Sequence, residues 1–248
     1  MMAKTVRLDK FLAAAGYGSR KEIKKIVRQG KVTVNGEVIK DSSVHVAPEK
    51  DRVTVDMVEV IYRELVYLIL NKPSGYITST EDSGEPTVME FIPEEFSHYK
   101  LFPVGRLDRD TEGLLLLTND GKLAHDLLAP KKHIPKTYYV KVDGHVSDKH
   151  IEAFSAGIIL DDGYNTMPSQ LVIRAAGNAG EARLTMSEVE LTIYEGKFHQ
   201  VKRMFAAFGM QVIYLKRIAM GQLQLDPTLN PGDIRELKPD ELAMLREG

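Results

Sequence analysis

The chain reads as an α+β protein in two parts. A small head of two helices and a β-hairpin precedes a larger domain with a mostly antiparallel, mixed sheet flanked by helices. Three observations carry this reading. Helical spacing and an Asn-Gly turn crowd into the first 60 residues. Beyond them, strand-like runs outnumber helical ones. The charge also divides near that point: residues 1–50 hold 11 Lys and Arg against 5 Asp and Glu, and the remainder holds 22 against 30. A basic head on an acidic body points to a polyanion as the head's partner.

The elements follow from local patterns. Leu8, Phe11, Leu12 and Ala15 share a helical face, and Gly16 ends that helix. Ser19-Arg20-Lys21-Glu22 has the form of a capping box, so a second helix starts near Arg20 and stops at Gly30. It buries Ile23, Ile26 and Val27 and presents Lys21, Lys24, Lys25 and Arg28. Lys31–Val34, Asn35-Gly36 and Glu37–Ile39 form a hairpin, and Val53–Val55 adds a strand. A connection near Met57–Glu64 leads to the larger domain. There Val66–Leu70 is a buried-strand pattern broken by Asn71-Lys72-Pro73-Ser74-Gly75, and polar residues 80–86 read as a mobile loop. Leu114–Leu117 is an apolar strand. Helices are expected at Lys122–Leu128, Asp148–Phe154 and His199–Phe208, and strands at Thr137–Val142, Arg183–Tyr194 and Val212–Arg217.

Composition narrows the function classes. A hydrophobic share of 43% with 27% charged residues is that of a globular protein. The longest apolar runs are too short to cross a bilayer, and the start Met-Met-Ala-Lys lacks an apolar signal core, so a cytoplasmic protein with no membrane partner is expected. With no Cys, disulfides, Cys-ligated zinc and Cys nucleophiles are excluded. The seven His lack i, i+4 pairing. Gly177-Asn178-Ala179-Gly180 lacks the Lys-Ser/Thr ending of a phosphate loop. No metal and no nucleotide cofactor is therefore expected.

The chemistry centres on Val104-Gly105-Arg106-Leu107-Asp108-Arg109-Asp110-Thr111-Glu112-Gly113. A loop dense in Arg and Asp abuts an apolar strand, which braces Asp108 as a reactive carboxylate. Gly-Arg-Leu-Asp alone is weak, because adjacent Arg and Asp commonly form surface ion pairs. Two segments add weight. Lys136-Thr137-Tyr138-Tyr139-Val140 puts an aromatic with a polar tip on a strand. Glu195–Phe205 holds a helix whose Val201, Met204, Phe205 and Phe208 face the core while His199, Lys202 and Arg203 face away. A metal-dependent nuclease using Asp108, Asp110 and Glu112 is a competing reading, as is a non-catalytic RNA-binding assembly factor.

The head resembles the S4 RNA-binding module, through Arg7–Leu12, Ser19-Arg20 and Gly30–Gly36. Together with the segments at 104–121, 136–140 and 195–208, and with Asn71–Gly75, nearly the whole chain resembles the ribosomal RNA pseudouridine synthases of the RsuA type. That resemblance implies an S4 domain over 1–60 and a catalytic domain over 61–248. It implies isomerisation of a uridine to pseudouridine in ribosomal RNA. Asp108 would be the catalytic nucleophile, attacking ribose C1′ or base C6 or assisting a glycal route. Tyr138 would pack on the base. Lys202 would pair with the carboxylate, although Arg203 could reach it too. RNA contacts are expected from Arg7, Lys10, Arg20, Lys21, Lys24, Lys25, Arg28, Lys31, Arg106 and Arg203. Arg106 would hold a phosphate or fill the space the base leaves. The compact end at Gly248, Thr118–Gly121 and Pro130–His133 favour 16S over 23S rRNA. The expected partner is a partly assembled small subunit, met by a monomer.

Overall fold

The computed structural model describes residues 5–81, 84–177 and 186–247. The chain divides into two compact units, Met1–Val66 with Pro93–Leu101, and Tyr67–Ile92 with Phe102–Gly248. The division is thus not one cut in the chain. The segment Pro93–Leu101 belongs with the head, where the His98 ring lies so close to Gly16 that a Cβ there would meet its Nδ1 at 2.9 Å.

In the first unit, β1 (Val6–Arg7) leads into α1 (Leu8–Ala14), followed by α2 (Arg20–Arg28), β2 (Val32–Val34), β3 (Glu37–Val38), β4 (His45–Val46), β5 (Val53–Val55) and β6 (Val58–Glu59). The capping box closes as its sequence demands. The Ser19 hydroxyl accepts from the Glu22 N–H, and the Glu22 carboxylate accepts from the Ser19 N–H at 2.7 Å. The hairpin turn needs two left-handed residues, and Asn35 (φ 53°) with Gly36 (φ 87°) supplies them. Leu8, Phe11, Leu12, Ile23, Val27 and Val32 bury together with Val53 and Val55.

In the second unit come β7 (Tyr67–Lys72), β8 (Phe102–Pro103), β9 (Glu112–Thr118), α3 (Gly121–Leu128), β10 (Lys136–Asp143), α4 (Asp148–Ala156), β11 (Gln170–Ala175), β12 (Met186–Ile193), α5 (Gln200–Ala206), β13 (Gln211–Met220), β14 (Leu223–Gln224), β15 (Ile234–Glu236) and α6 (Pro239–Glu247). They build one sheet in the order β11-β12-β10-β13-β9-β7-β15, with β14 on β13 and β8 on β9. Only β9 with β13 is parallel among the described pairs. Leu114, Leu116 and Ile69 pack under Leu123, Ala124 and Leu127 of α3.

Several expectations shift in detail. The strand expected to break at Asn71 runs on through Lys72, because both side chains find buried partners: Asn71 donates to the Leu229 carbonyl at 2.8 Å, and Lys72 donates to loop carbonyls described below. The strand at Val212–Arg217 extends to Gln211–Met220 as the central partner of β10 and β9. The helix expected from His199 starts at Gln200, with His199 left-handed (φ 49°) as its N-cap. Phe208, expected on the buried face, is 37% exposed and stacks on Phe154 with centroids 5.8 Å apart. Arg183–Thr185 of the expected strand over 183–194, residues 82–83 of the loop at 80–86, and residues 178–180 of the Gly-Asn-Ala-Gly segment lie outside the described residues. No helix among the described residues is long and apolar enough to cross a membrane.

Candidate active site

Lys72 organises the loop that carries Asp108. It is fully buried at the end of β7, and its Nζ donates to the carbonyls of Pro73 (3.1 Å), Asp108 (3.2 Å), Arg109 (3.1 Å) and Thr111 (2.8 Å). A buried ammonium survives only when its protons are taken up, and these four carbonyls take them up here. Burial still draws its pKa down to about 8, against the pull of the charges on Asp110, Glu112 and Asp108. The same turn is tied to the Pro-Ser-Gly segment from outside. The Gly75 N–H donates to the Arg109 carbonyl at 2.8 Å, and Arg109 Nε returns a bond to the Gly75 carbonyl at 3.1 Å. Thr78 Oγ1 donates to the Leu107 carbonyl at 2.9 Å. Asp108 is therefore held by backbone bonds on both sides of its loop.

Gly113 sets where that loop joins the sheet. It sits at φ 101° opposite Arg217 in the parallel β9–β13 pair, and a Cβ there would collide with the Arg217 carbonyl oxygen. Cross-strand register forms a row from Tyr138 on β10 through Arg217 on β13 and Gly113 on β9 to Lys72 on β7. Arg217 is 3% exposed and its Nε donates to the Leu114 carbonyl at 2.8 Å, while its Nη2 is a buried nitrogen without a hydrogen-bond partner.

Asp108 opens onto a cleft of about 450 Å³ formed by Ser74 and Gly75, Asp108–Asp110, and His199 and Lys202. Lys202 Nζ lies 3.3 Å from Asp108 Oδ2 and 2.6 Å from Asp110 Oδ1, and His199 Nε2 lies 3.7 Å from Asp108 Oδ1. The Lys202 and Asp108 side chains are 25% and 30% exposed. Burial draws the Lys202 pKa down, but the hydrogen bond to Asp110 and the charges of Asp108 and Asp110 outweigh it and hold it above the ordinary lysine value. Burial pushes Asp110 up, yet Lys202 leaves it below the ordinary carboxylate value. The cleft thus holds a carboxylate beside a cation that stays charged at neutral pH. That arrangement suits a nucleophile or a charge stabiliser.

The structure brings Asp108 and Lys202 together, as the sequence reading expected, and it turns Arg203 away. Arg203 Nη2 pairs with Asp162 at 2.7 Å and also with Asp161, whose carboxylate its Nε meets at 2.6 Å. Tyr138 does not line the cleft. It is 8% exposed on the core-facing side of β10. Tyr139 alternates to the opposite face, where its hydroxyl donates to Glu188. Arg106 is exposed but outside the cleft lining. In the head, Arg7, Lys10, Arg20, Lys21, Lys24, Lys25, Arg28 and Lys31 are all exposed; Arg7 pairs with Asp9 at 2.7 Å and Lys31 with Asp56 at 3.2 Å. Among the described residues no group of three or more His, Cys, Asp or Glu could hold a metal ion, so Asp108, Asp110 and Glu112 do not form the cluster a metal nuclease needs.

Sequence reasoning missed Lys72 and underrated His199. The signal for Lys72 was a lysine ending the run Leu68–Asn71, which is buried throughout and where a charge must have a structural partner. Nothing in the sequence marked Arg217.

Comparison with known proteins agrees in extent with this picture. The family model described as RNA pseudouridylate synthase matches residues 66–207, and the S4 domain model matches residues 6–53. An uncharacterized RNA pseudouridine synthase of Bacillus subtilis is 48% identical over 98% of this chain and 99% of its own. The ribosomal small subunit pseudouridine synthase A of Escherichia coli is 39% identical over 96% of this chain and 99% of its own. A crystal structure of a pseudouridylate synthase, 38% identical, superposes with a TM-score of 0.66 over 97% of this chain and 99% of that one.

Proposed function

The chain belongs to the RNA pseudouridylate synthase family, and from that premise we propose that it isomerises one uridine of 16S ribosomal RNA with Asp108 as the catalytic carboxylate. As a pseudouridine synthase it is an isomerase, and its S4 domain binds RNA. The 16S target rests on full-length similarity to synthases named for the ribosomal small subunit. In this reading residues 1–60 grip the RNA and 61–248 carry out the reaction. The protein works as a monomer in the cytoplasm on a partly assembled subunit.

The observation that carries the role of Asp108 is its pairing with Lys202 inside the cleft. In the reaction the C1′–N1 bond breaks, the uracil turns, a C1′–C5 bond forms, and the proton on C5 is lost while N1 gains one, so atoms balance without a co-reactant. A uridine must first leave its stack, which costs a few kcal/mol. As it enters it drives water from the cleft, and that loss of solvent would protonate a lone carboxylate. Lys202 places a compensating positive charge 3.3 Å from Asp108. In this reading Tyr138, buried on β10 outside the cleft lining, has no part in holding the displaced base.

The test is to map pseudouridines in 16S and 23S rRNA from cells with and without the gene. One 16S pseudouridine should vanish and return with the wild-type gene. A missing 23S pseudouridine instead would move the target to the large subunit. Unchanged maps would overturn the assignment to ribosomal RNA.

A further inference from the structure

Phe198 leaves an apolar ring in solvent at the edge of the cleft. It is 75% exposed, about twice as exposed as Phe208 or Tyr164. Single exposed apolar side chains are ordinary. This one is placed. Its ring stacks on His199 with centroids 3.8 Å apart and planes 19° from parallel, and His199 Nε2 in turn lies 3.7 Å from Asp108.

The backbone beneath the pair is fixed at some cost. His199 holds a left-handed conformation, φ 49°, which a non-glycine residue keeps only where its surroundings impose it. Arg203 Nη1 donates to the Phe198 carbonyl at 3.4 Å, while Asp161 and Asp162 anchor the same guanidinium. One face of Phe198 is covered by the imidazole, and the ring keeps enough open surface to take a second planar partner.

Resting on the uridine-isomerising reading above, we propose that Phe198, backed by His199, is a stacking platform for the nucleobase next to the target uridine. When the target turns out of its stack toward Asp108, its neighbour loses a stacking partner, and the ring beside the cleft replaces it. Base–aromatic stacking is indifferent to base identity, so the platform sets position rather than sequence. Phe198 is on this account a positioning residue.

The chain has no Trp, so Phe198→Trp introduces a single indole at the platform. The probes are 16S rRNA and small-subunit particles from cells lacking the gene. The indole fluorescence should be quenched as RNA is added. Phe198→Ala should raise KM by about fivefold or more, from a stacking contribution of about 1–3 kcal/mol per base. Its effect on kcat should be smaller, and its unfolding midpoint should match the wild type. Phe198→Tyr should restore KM and Phe198→Leu should not. Wild-type KM in Phe198→Ala, or rescue by Leu as full as by Tyr, overturns the platform; the Leu result would point to an apolar protein contact. If the wild type converts no uridine in either probe, the 16S reading fails, and the fluorescence titration alone then decides the platform, with no quenching overturning it.

Discussion

Lys202 Nζ stands 3.3 Å from the Asp108 carboxylate, and the neighbouring Arg203 is taken up by Asp161 and Asp162. Two adjacent cations on one short helix therefore have separate duties, because successive helical positions point about 100° apart. Lys202 faces the cleft and Arg203 faces the loop holding Asp161 and Asp162.

This separation predicts unequal variants. Lys202→Ala leaves Asp108 and Asp110 side by side without their cation. Two unit charges at about 4 Å interact by about 4 kcal/mol at an effective dielectric of 20, and partial exposure reduces that. The expected loss is about 10- to 100-fold in kcat, each factor of ten being about 1.4 kcal/mol. Arg203→Ala should cost only a few-fold, felt in KM. Single-turnover kinetics on 16S rRNA separates the two, and equal losses would remove the distinction.

Asp108→Asn keeps the shape of the side chain and removes its charge. Pseudouridine formation should fall below detection, while RNA affinity measured by filter binding stays within a few-fold of the wild type. Turnover within about tenfold of normal would exclude Asp108 as the catalytic carboxylate.

Lys72→Met should destabilise the second unit, because four carbonyls that now share one ammonium lose their donor. The expected loss is about 1–3 kcal/mol in urea unfolding at pH 7. The pH dependence follows from a folded pKa of about 8, below the ordinary value of 10.5. Between these values the unfolded chain binds more protons than the folded one, so this group's contribution to stability rises with pH. The cost of burying its charge is present below about pH 8 and relieved above 10.5. The wild type should therefore gain stability relative to Lys72→Met as pH rises from 8 toward 10.5. A constant difference across that range would mean that burial does not lower the Lys72 pKa.

In α2 the residues Lys21, Lys24, Lys25 and Arg28 are exposed at i, i+3, i+4 and i+7, opposite buried Ile23 and Val27. They form one stripe of charge. Each neutralised to Ala should weaken RNA binding across all sequences and reduce the slope of log K against log salt by about 0.7–0.9. The effect on KM should exceed that on kcat. An unchanged slope at all four positions would remove α2 from the interface.

Much of this protein was legible without coordinates. The Ser19–Glu22 capping box, the Asn35-Gly36 turn, the apolar run Leu114–Leu117 and the alternation of β10 are local features, and local physics sets them. The juxtaposition of Asp108 and Lys202, 94 positions apart, was legible only through resemblance to a family. The extension of β7 through Lys72 was not legible. A lysine closing an apolar run reads as a strand end unless the acceptors that bury it are known, and most of those acceptors lie 36 to 39 residues away.

The amino-acid order by itself determined α2 with its capping box, the Asn35-Gly36 turn, the strands β9 and β10, and where the basic face of the head falls, because those follow from contacts within a few residues. Only the tertiary structure decided that a buried lysine holds the Asp108 loop, that Lys202 rather than Arg203 meets its carboxylate, and that Phe198 stays uncovered beside the cleft. Each of these depends on which distant backbone or charge arrives at the site, and chain-distant proximity is a product of sheet pairing and loop closure.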